Sequence, residues 1–210
     1  MFPILSHKKH YVNYDVLGGG ALNFLSSDKA LADALADQAA AQKAAASLEL
    51  MLLLFTAALA GEVHDQAIEH AEGYLGTPWA WNGQATAANP GLGCMSFVFR
   101  SYSAATGTPR ASYSVNPSEL VASGLLGPQT AVISRGEEVP FERGDVVFFL
   151  LAGYEIPDAP LHIDGDTKYW PWHMGLYTGE GQVLHSEPGG EVRYQALEDI
   201  SWDRVLATRP

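Results

Sequence analysis

The chain of 210 residues has one cysteine, Cys94, so no internal disulfide can staple the fold and its stability must come from packing. Basic residues are also scarce: 12 Lys and Arg stand against 24 Asp and Glu, for a formal net charge of -12. A phosphate backbone or an anionic lipid surface would repel such a chain as a whole, so nucleic acid is not an expected partner. Asp164-Gly165-Asp166 hints at a cation but lacks the spacing of a calcium loop, and neither a metal nor a cofactor is expected. The first ten residues, Met1 to His10, lack the basic, apolar and small-residue regions of a secretory signal. The longest apolar run, Leu48 to Ala60, is interrupted only by Glu49 and Thr56 and falls short of the ~20 residues that span a bilayer. It is expected to be a buried core helix and not an integral membrane segment. Lys43 before it and Ala58-Leu59-Ala60 at its end resemble the flanks of an internal signal, a reading set aside because the run lies so deep in the chain.

What is present suits one domain with an extension. Hydrophobic residues make up 47% of the chain, enough for a sizeable core. Residues 1–62 are expected to form an irregular arm, to about residue 26, and then a helical extension. Its helices should run over about 27–47, from a cap at Ser27-Asp28, and about 48–60, ending at Gly61. The domain proper is expected over 63–210, starting with a helix over about 63–74. His64 and His70 lie six apart on that helix, point to different faces and read as structural or exposed. Gly107 to Pro140 reads as a surface connection with one short helix near Pro117. Bounded apolar runs near 144–151, 172–177, 182–186, 192–194 and 205–207 predict an antiparallel sheet of about five strands, with an insertion at 152–171.

Two stretches carry the chemistry. In Gly91-Leu92-Gly93-Cys94-Met95-Ser96-Phe97-Val98-Phe99-Arg100 the cysteine stands between a glycine-rich turn and a buried helical pattern running toward Thr106-Gly107. A lone cysteine is by default a small buried hydrophobe; at a helix N-terminus the dipole is expected to favour its thiolate. The second stretch, Trp172 to Ser186, reads as a hairpin around Gly179-Glu180-Gly181, with His173 and His185 directly opposite one another on one face. A cysteine nucleophile, His173 as general base and His185 as the group that orients it would cleave a carbonyl substrate. The Cys94 backbone N–H at the helix start is a natural oxyanion donor, and Trp79 or Asn82 upstream is a candidate for a second.

These stretches resemble the NlpC-type cell-wall peptidases, papain-like bacterial enzymes that cut peptidoglycan stem peptides. The resemblance rests on Gly76-Thr77-Pro78-Trp79-Ala80-Trp81-Asn82-Gly83, the Gly91 to Phe99 segment, Arg143-Gly144-Asp145-Val146-Val147-Phe148-Phe149, and His173-Met174-Gly175-Leu176-Tyr177 with His185 after it. It implies a papain-like α+β fold, with the nucleophile helix packed on a central antiparallel sheet. It also implies Cys94, His173 and His185 as nucleophile, base and orienting residue. Where the family has Asp-Cys-Ser-Gly this chain has Gly93-Cys94-Met95-Ser96, and Trp79 replaces a family tyrosine. The family's Asp and Ser help bind the charged ends of the stem peptide, so Gly93 and Met95 imply an altered substrate pocket.

The expected function is hydrolysis of amide bonds in peptidoglycan peptides. The alternatives are a papain-like thiol hydrolase or acyltransferase acting on a protein or lipid, and a catalytically inactive binding module. Without a visible signal the protein is expected to be made in the cytoplasm and to act in the periplasm or cell wall. Delivery as a type VI secretion effector into a target cell would make a secretion apparatus or an immunity protein its partner.

Overall fold

A computed structural model describes residues 24–107, 116–122 and 127–210. The contacts divide the chain into two units, Met1–Leu54 and Phe55–Pro210. The expected arm over residues 1–23 and parts of the 107–140 connection lie outside the described residues. Helix α1 runs unbroken over Phe24–Glu72, where the sequence suggested three helices. Gly61 does not end it: a glycine costs a helix only about 1 kcal/mol, which strong helix formers on both sides can absorb. The run Leu48 to Ala60 is not a buried core helix either. Its large apolar side chains are exposed, from 47% at Leu59 to 69% at Leu48 and Met51.

Among the described residues the second unit is an α+β structure built on a seven-stranded sheet. The strands are β1 (Gln129–Ser134), β2 (Val146–Ala152), β3 (His162–Asp164), β4 (Thr167–Gly179), β5 (Gln182–Ser186), β6 (Val192–Ala196) and β7 (Arg204–Thr208). They lie in the order β1-β7-β2-β4-β5-β6, with β3 paired to β4 and every pairing antiparallel. All five expected strands are present. The two additional ones fall in segments read as a surface connection and an insertion, because edge strands with polar residues carry a weak apolar signal.

β2 shows why the sheet is central. Val146, Phe148 and Leu150 pack into one cluster with Ala67, Ile68 and Ala71 of α1 and with Phe97, Val98, Phe99 and Tyr102. Val147 and Phe149 point the other way, among Leu197, Ile200, Trp202 and Val205. A strand buried on both faces must be apolar at successive positions, which is the pattern of Val-Val-Phe-Phe-Leu-Leu. The four aromatic and β-branched side chains on the first cluster's helix belong to α2 (Cys94–Thr106), which Gly107 closes in a left-handed conformation. The Tyr102 hydroxyl donates to the Gly144 carbonyl, tying α2 to the start of β2. Asp145, buried beside it, accepts from Arg209 Nε at 2.8 Å and from the Glu142 backbone N–H at 2.9 Å. The Arg143-Gly144-Asp145 motif therefore frames the fold.

The lead-in to Cys94 is held by close backbone packing. The Leu92 N–H donates to the Pro78 carbonyl at 2.9 Å, Ala80 N–H to the Leu92 carbonyl at 3.2 Å, and Gly93 N–H to the Gly83 carbonyl at 3.2 Å. The Ser186 hydroxyl donates to Leu92 O at 2.6 Å, fastening the same loop to β5. Gly93 has an ordinary extended backbone (φ -79°, ψ 159°), so the glycines here supply room and not unusual dihedrals. A Cβ on Gly83 would sit 2.5 Å from the Gly91 carbonyl carbon and oxygen. Gly83→Ala is therefore expected to destabilise the domain by about 1–3 kcal/mol, the usual cost of overpacking, read by urea denaturation; an unchanged midpoint would show that the two backbone segments are not locked together.

Candidate active site

Cys94 is the first residue of α2, and its part-exposed side chain opens onto two adjoining cavities of about 330 and 360 Å³. Trp81, Asn82, Met95, Tyr154 and Trp172 line both, so the cleft extends to either side of the thiol. Trp79 and Gly93 line the first cavity and His173 the second. All the upstream candidates, Trp79, Asn82 and Gly93, thus reach the cleft that holds Cys94. Asn82 is exposed, has a left-handed backbone (φ 55°), and its carbonyl accepts from the Asn89 side chain at 3.0 Å. Among the described residues no charged side chain lines either cavity.

The expected register of the histidine hairpin needs correction. His185 lies opposite Gly175, since Leu176 pairs with Leu184 and Tyr177 with Val183, while His173 pairs with Phe149 on β2. The loop consists of Glu180 and Gly181, both at positive φ, and a bulge between Tyr177 and Gly179 shifts the pairing. A shift of two residues preserves the face, so the rings still meet diagonally, with His173 Nε2 2.7 Å from His185 Nδ1. Gly175 makes the approach possible: a Cβ there would stand 2.9 Å from the His185 Cβ.

Beyond His185 the chain of contacts continues to residues the sequence reading missed. His185 Nε2 lies 3.1 Å from Gln195 Oε1, and Arg193 donates to the same oxygen at 3.1 Å. An arginine can only donate, so the Gln195 atom facing it must be the carbonyl oxygen, and the His185 nitrogen facing that oxygen must carry a proton. Burial holds His185 neutral, its pKa lowered to about 4, with the Gln195 contact opposing the shift and the Arg193 charge adding to it. Its Nδ1 is then bare and accepts from His173 Nε2–H. The proton on Nε2 leaves Nδ1 of neutral His173 as an unprotonated acceptor. That atom is buried and has no hydrogen-bond partner among the described residues. Phe149 stacks on the His173 ring at a centroid distance of 5.5 Å and Trp172 flanks it at 5.2 Å.

The charge states differ from the expected thiolate. Burial pushes the Cys94 thiol up, and hydrogen bonds from the backbone of Met174, Met95 and Cys94 itself offset only part of that. Burial, and then the neighbouring His185, push His173 well below the usual histidine range. At neutral pH the resting pair is thus a thiol and a neutral imidazole. The contact with Met174 places the sulfur beside the residue that follows His173, although thiol and ring are not hydrogen-bonded in this state.

The other noted histidines and carboxylates have structural places. His64 is buried, with Nε2 3.0 Å from the Pro210 carbonyl oxygen, and His70 is exposed. Asp164 ends β3 and pairs with Arg204 at 3.2 Å. The insertion at 152–171 supplies Tyr154, Ile156 and Pro157 to the cleft wall; their types gave no local signal, because only the tertiary fold brings that loop over Cys94.

Folding removes His185 from an ordinary pKa near 6.5 to about 4, so between these values the unfolded chain binds more protons. The resulting stability is complete above pH 6.5 and is lost as the pH falls toward 4, amounting to about 3 kcal/mol for this residue, with His173 acting in the same direction. Urea denaturation at pH 7 and pH 4.5 is expected to show a smaller loss for His185→Asn than for the unsubstituted protein. Equal losses in the two proteins would contradict a buried neutral imidazole.

Comparison with known proteins agrees with this architecture. Residues 76–209 match the model of the NlpC/P60 family. A probable endopeptidase of Escherichia coli K12, YafL, is 29% identical over 151 residues, covering 70% of this chain and 49% of that protein. This chain therefore spans about half the length of that relative. Solved structures that align with this chain include the NlpC/p60 domain of the peptidoglycan hydrolase SagA, at 22% identity and TM-score 0.43 over 68% of this chain and 97% of that one. The peptidoglycan hydrolase RipB of Mycobacterium tuberculosis aligns at 18% identity and TM-score 0.46, over 72% and 66% of the two chains. RipD of the same organism, described as a non-catalytic peptidoglycan-binding domain, aligns at 16% identity and TM-score 0.43 over 70% and 96%. With the family model matching more than half of its length, this chain belongs to the NlpC/P60 family.

Proposed function

We propose that the protein is a cysteine hydrolase that cuts amide bonds in peptidoglycan peptides, with Cys94 as nucleophile, His173 as general base and His185 as the residue that orients it. The observation that carries this reading is the bare Nδ1 of His173, buried without a partner at the cleft that also holds Cys94. Family membership and the similarity to an endopeptidase support the reaction class.

The chemistry follows from the tautomer. As substrate enters, the Cys94 Sγ–H proton passes to His173 Nδ1 and the sulfur attacks the amide carbon, giving a tetrahedral oxyanion. The Cys94 backbone N–H, at the positive end of α2, is placed to donate to that oxygen, with Asn82 as the side-chain candidate. Collapse breaks the C–N bond while His173 returns its proton to the leaving amine. Water, deprotonated by the same nitrogen, then hydrolyses the thioester. Because burial disfavours imidazolium, the protonated His173 formed in the first step is a strong acid, which suits protonation of an amine leaving group.

The cleft narrows the substrate. Among the described residues the walls offer the aromatic faces of Trp79, Trp81, Tyr154 and Trp172 and no ionic partner, which favours a peptide with uncharged groups next to the scissile bond. The same apolar walls favour a second reading, an acyl hydrolase or acyltransferase acting on a protein or lipid with the same three residues. Nothing observed adds support for a type VI effector role or an immunity partner, and neither is part of the proposal.

Digestion of purified sacculi, followed by mass spectrometry of the fragments, tests the reaction. Cys94→Ala should reduce release of peptide fragments to background, and undiminished digestion would remove the proposal. Gln195→Ala should lower the rate more than about tenfold, yet less than the ~10²–10⁴ attributable to the base itself, while Gln195→Glu, which keeps an acceptor for His185, should restore much of it. Equal activity of the two variants would show that the Gln195 contact does not set the tautomer.

A further inference from the structure

The exposed apolar stretch of α1 has no role in the cleft, and its chemistry is specific. The 18 residues 44–61 contain one ionisable side chain, Glu49, and lie within a helix long and apolar enough to cross a membrane. At 1.5 Å per residue they extend about 27 Å, close to the ~30 Å hydrocarbon thickness of a bilayer. Glu49 lies about 8 Å along the axis from residue 44, near one end and not at the midplane.

The apolar surface is not confined to one side. Leu50, Met51, Leu52, Leu53, Leu54 and Phe55 are consecutive and each is 57% to 69% exposed. Six successive positions at 100° intervals cover the whole circumference. A helix that docks in a protein groove or pairs with a second copy shows an apolar stripe and a polar back, whereas one that is apolar all round needs a surrounding of lipid or protein. None of that window is buried among the described residues.

The flanking charges give a direction. Lys29 and Lys43 precede the stretch, and the next lysine or arginine after Lys43 is Arg100. After the stretch, α1 carries Glu62, Asp65, Glu69 and Glu72 instead. Lysine and arginine near the ends of a span favour the cytoplasmic side, and their absence favours translocation.

From these observations we infer that residues 44–61 are a bilayer-spanning anchor, with residues 1–43 on the cytoplasmic side and the NlpC/P60 domain on the opposite side. The overall net charge of -12 does not oppose this, since the hydrophobic effect and not surface attraction drives insertion of a span. The inference is independent of the chemistry at Cys94.

The full chain, expressed in a bacterium, tests it in three measurements. Alkaline carbonate extraction of membranes should leave the protein in the pellet, and Leu50→Arg/Leu53→Arg should move most of it to the supernatant. Both substituted positions are exposed, so circular dichroism of the variant should retain the helix and sheet signals. Protease added to intact spheroplasts should digest the domain while sparing residues 1–43. Unsubstituted protein in the carbonate supernatant, including as a soluble oligomer, would overturn the inference. A released fragment beginning at Gly61, cut after Ala58-Leu59-Ala60, would do so too, since the stretch would then be a cleaved signal and not an anchor. A protease-resistant domain in intact spheroplasts would reject the orientation.

Discussion

A row of polar side chains on one face of the sheet, Arg193 to Gln195 to His185 to His173, decides where the protons of two buried imidazoles sit. Each link is forced by the one before it, beginning with a guanidinium that can only donate. Because the row starts at the surface and ends at the cleft, a choice of amide orientation at Gln195 propagates to the nitrogen of His173 that is left bare. Without that order, two neutral histidines in contact could exchange tautomers. His173 Nδ1 would then carry the proton.

Burial has opposite consequences for the parts of this arrangement. It makes ions expensive, so the Cys94 thiol is raised and both histidines are lowered, and the resting site is uncharged. The same desolvation would strengthen the interactions of charge that develops during a reaction, at the N-terminus of α2 above all. Among the described residues the walls of the cleft beside the sulfur are aromatic and carry no ionic side chain.

The framework that holds these parts is backbone packing. Gly83 and Gly91 let the segment bearing Trp79, Trp81 and Asn82 lie against the lead-in to α2, and Ser186 fastens that lead-in to β5 next to His185. The lead-in to Cys94, the segment bearing the cleft tryptophans and the strand that carries His185 are therefore fastened to one another.

Much of this was legible in the residues themselves. The doubly buried β2, the helix from Cys94 to a left-handed Gly107, the hairpin strands and the sharing of one face by His173 and His185 follow from local period and turn chemistry, which depend on near neighbours. Family, sheet core and the candidate residues Cys94, His173 and His185 could be read from the residues alone. The hairpin register, the acceptor role of Gln195, the place of Tyr154 in the cleft and the exposure of Leu48 to Ala60 emerged with the fold. The reason is physical: a bulge shifts pairing without changing composition, a side chain 10 residues away in the sequence becomes a hydrogen-bond partner only across strands, and an apolar helix reads the same whether protein or lipid surrounds it.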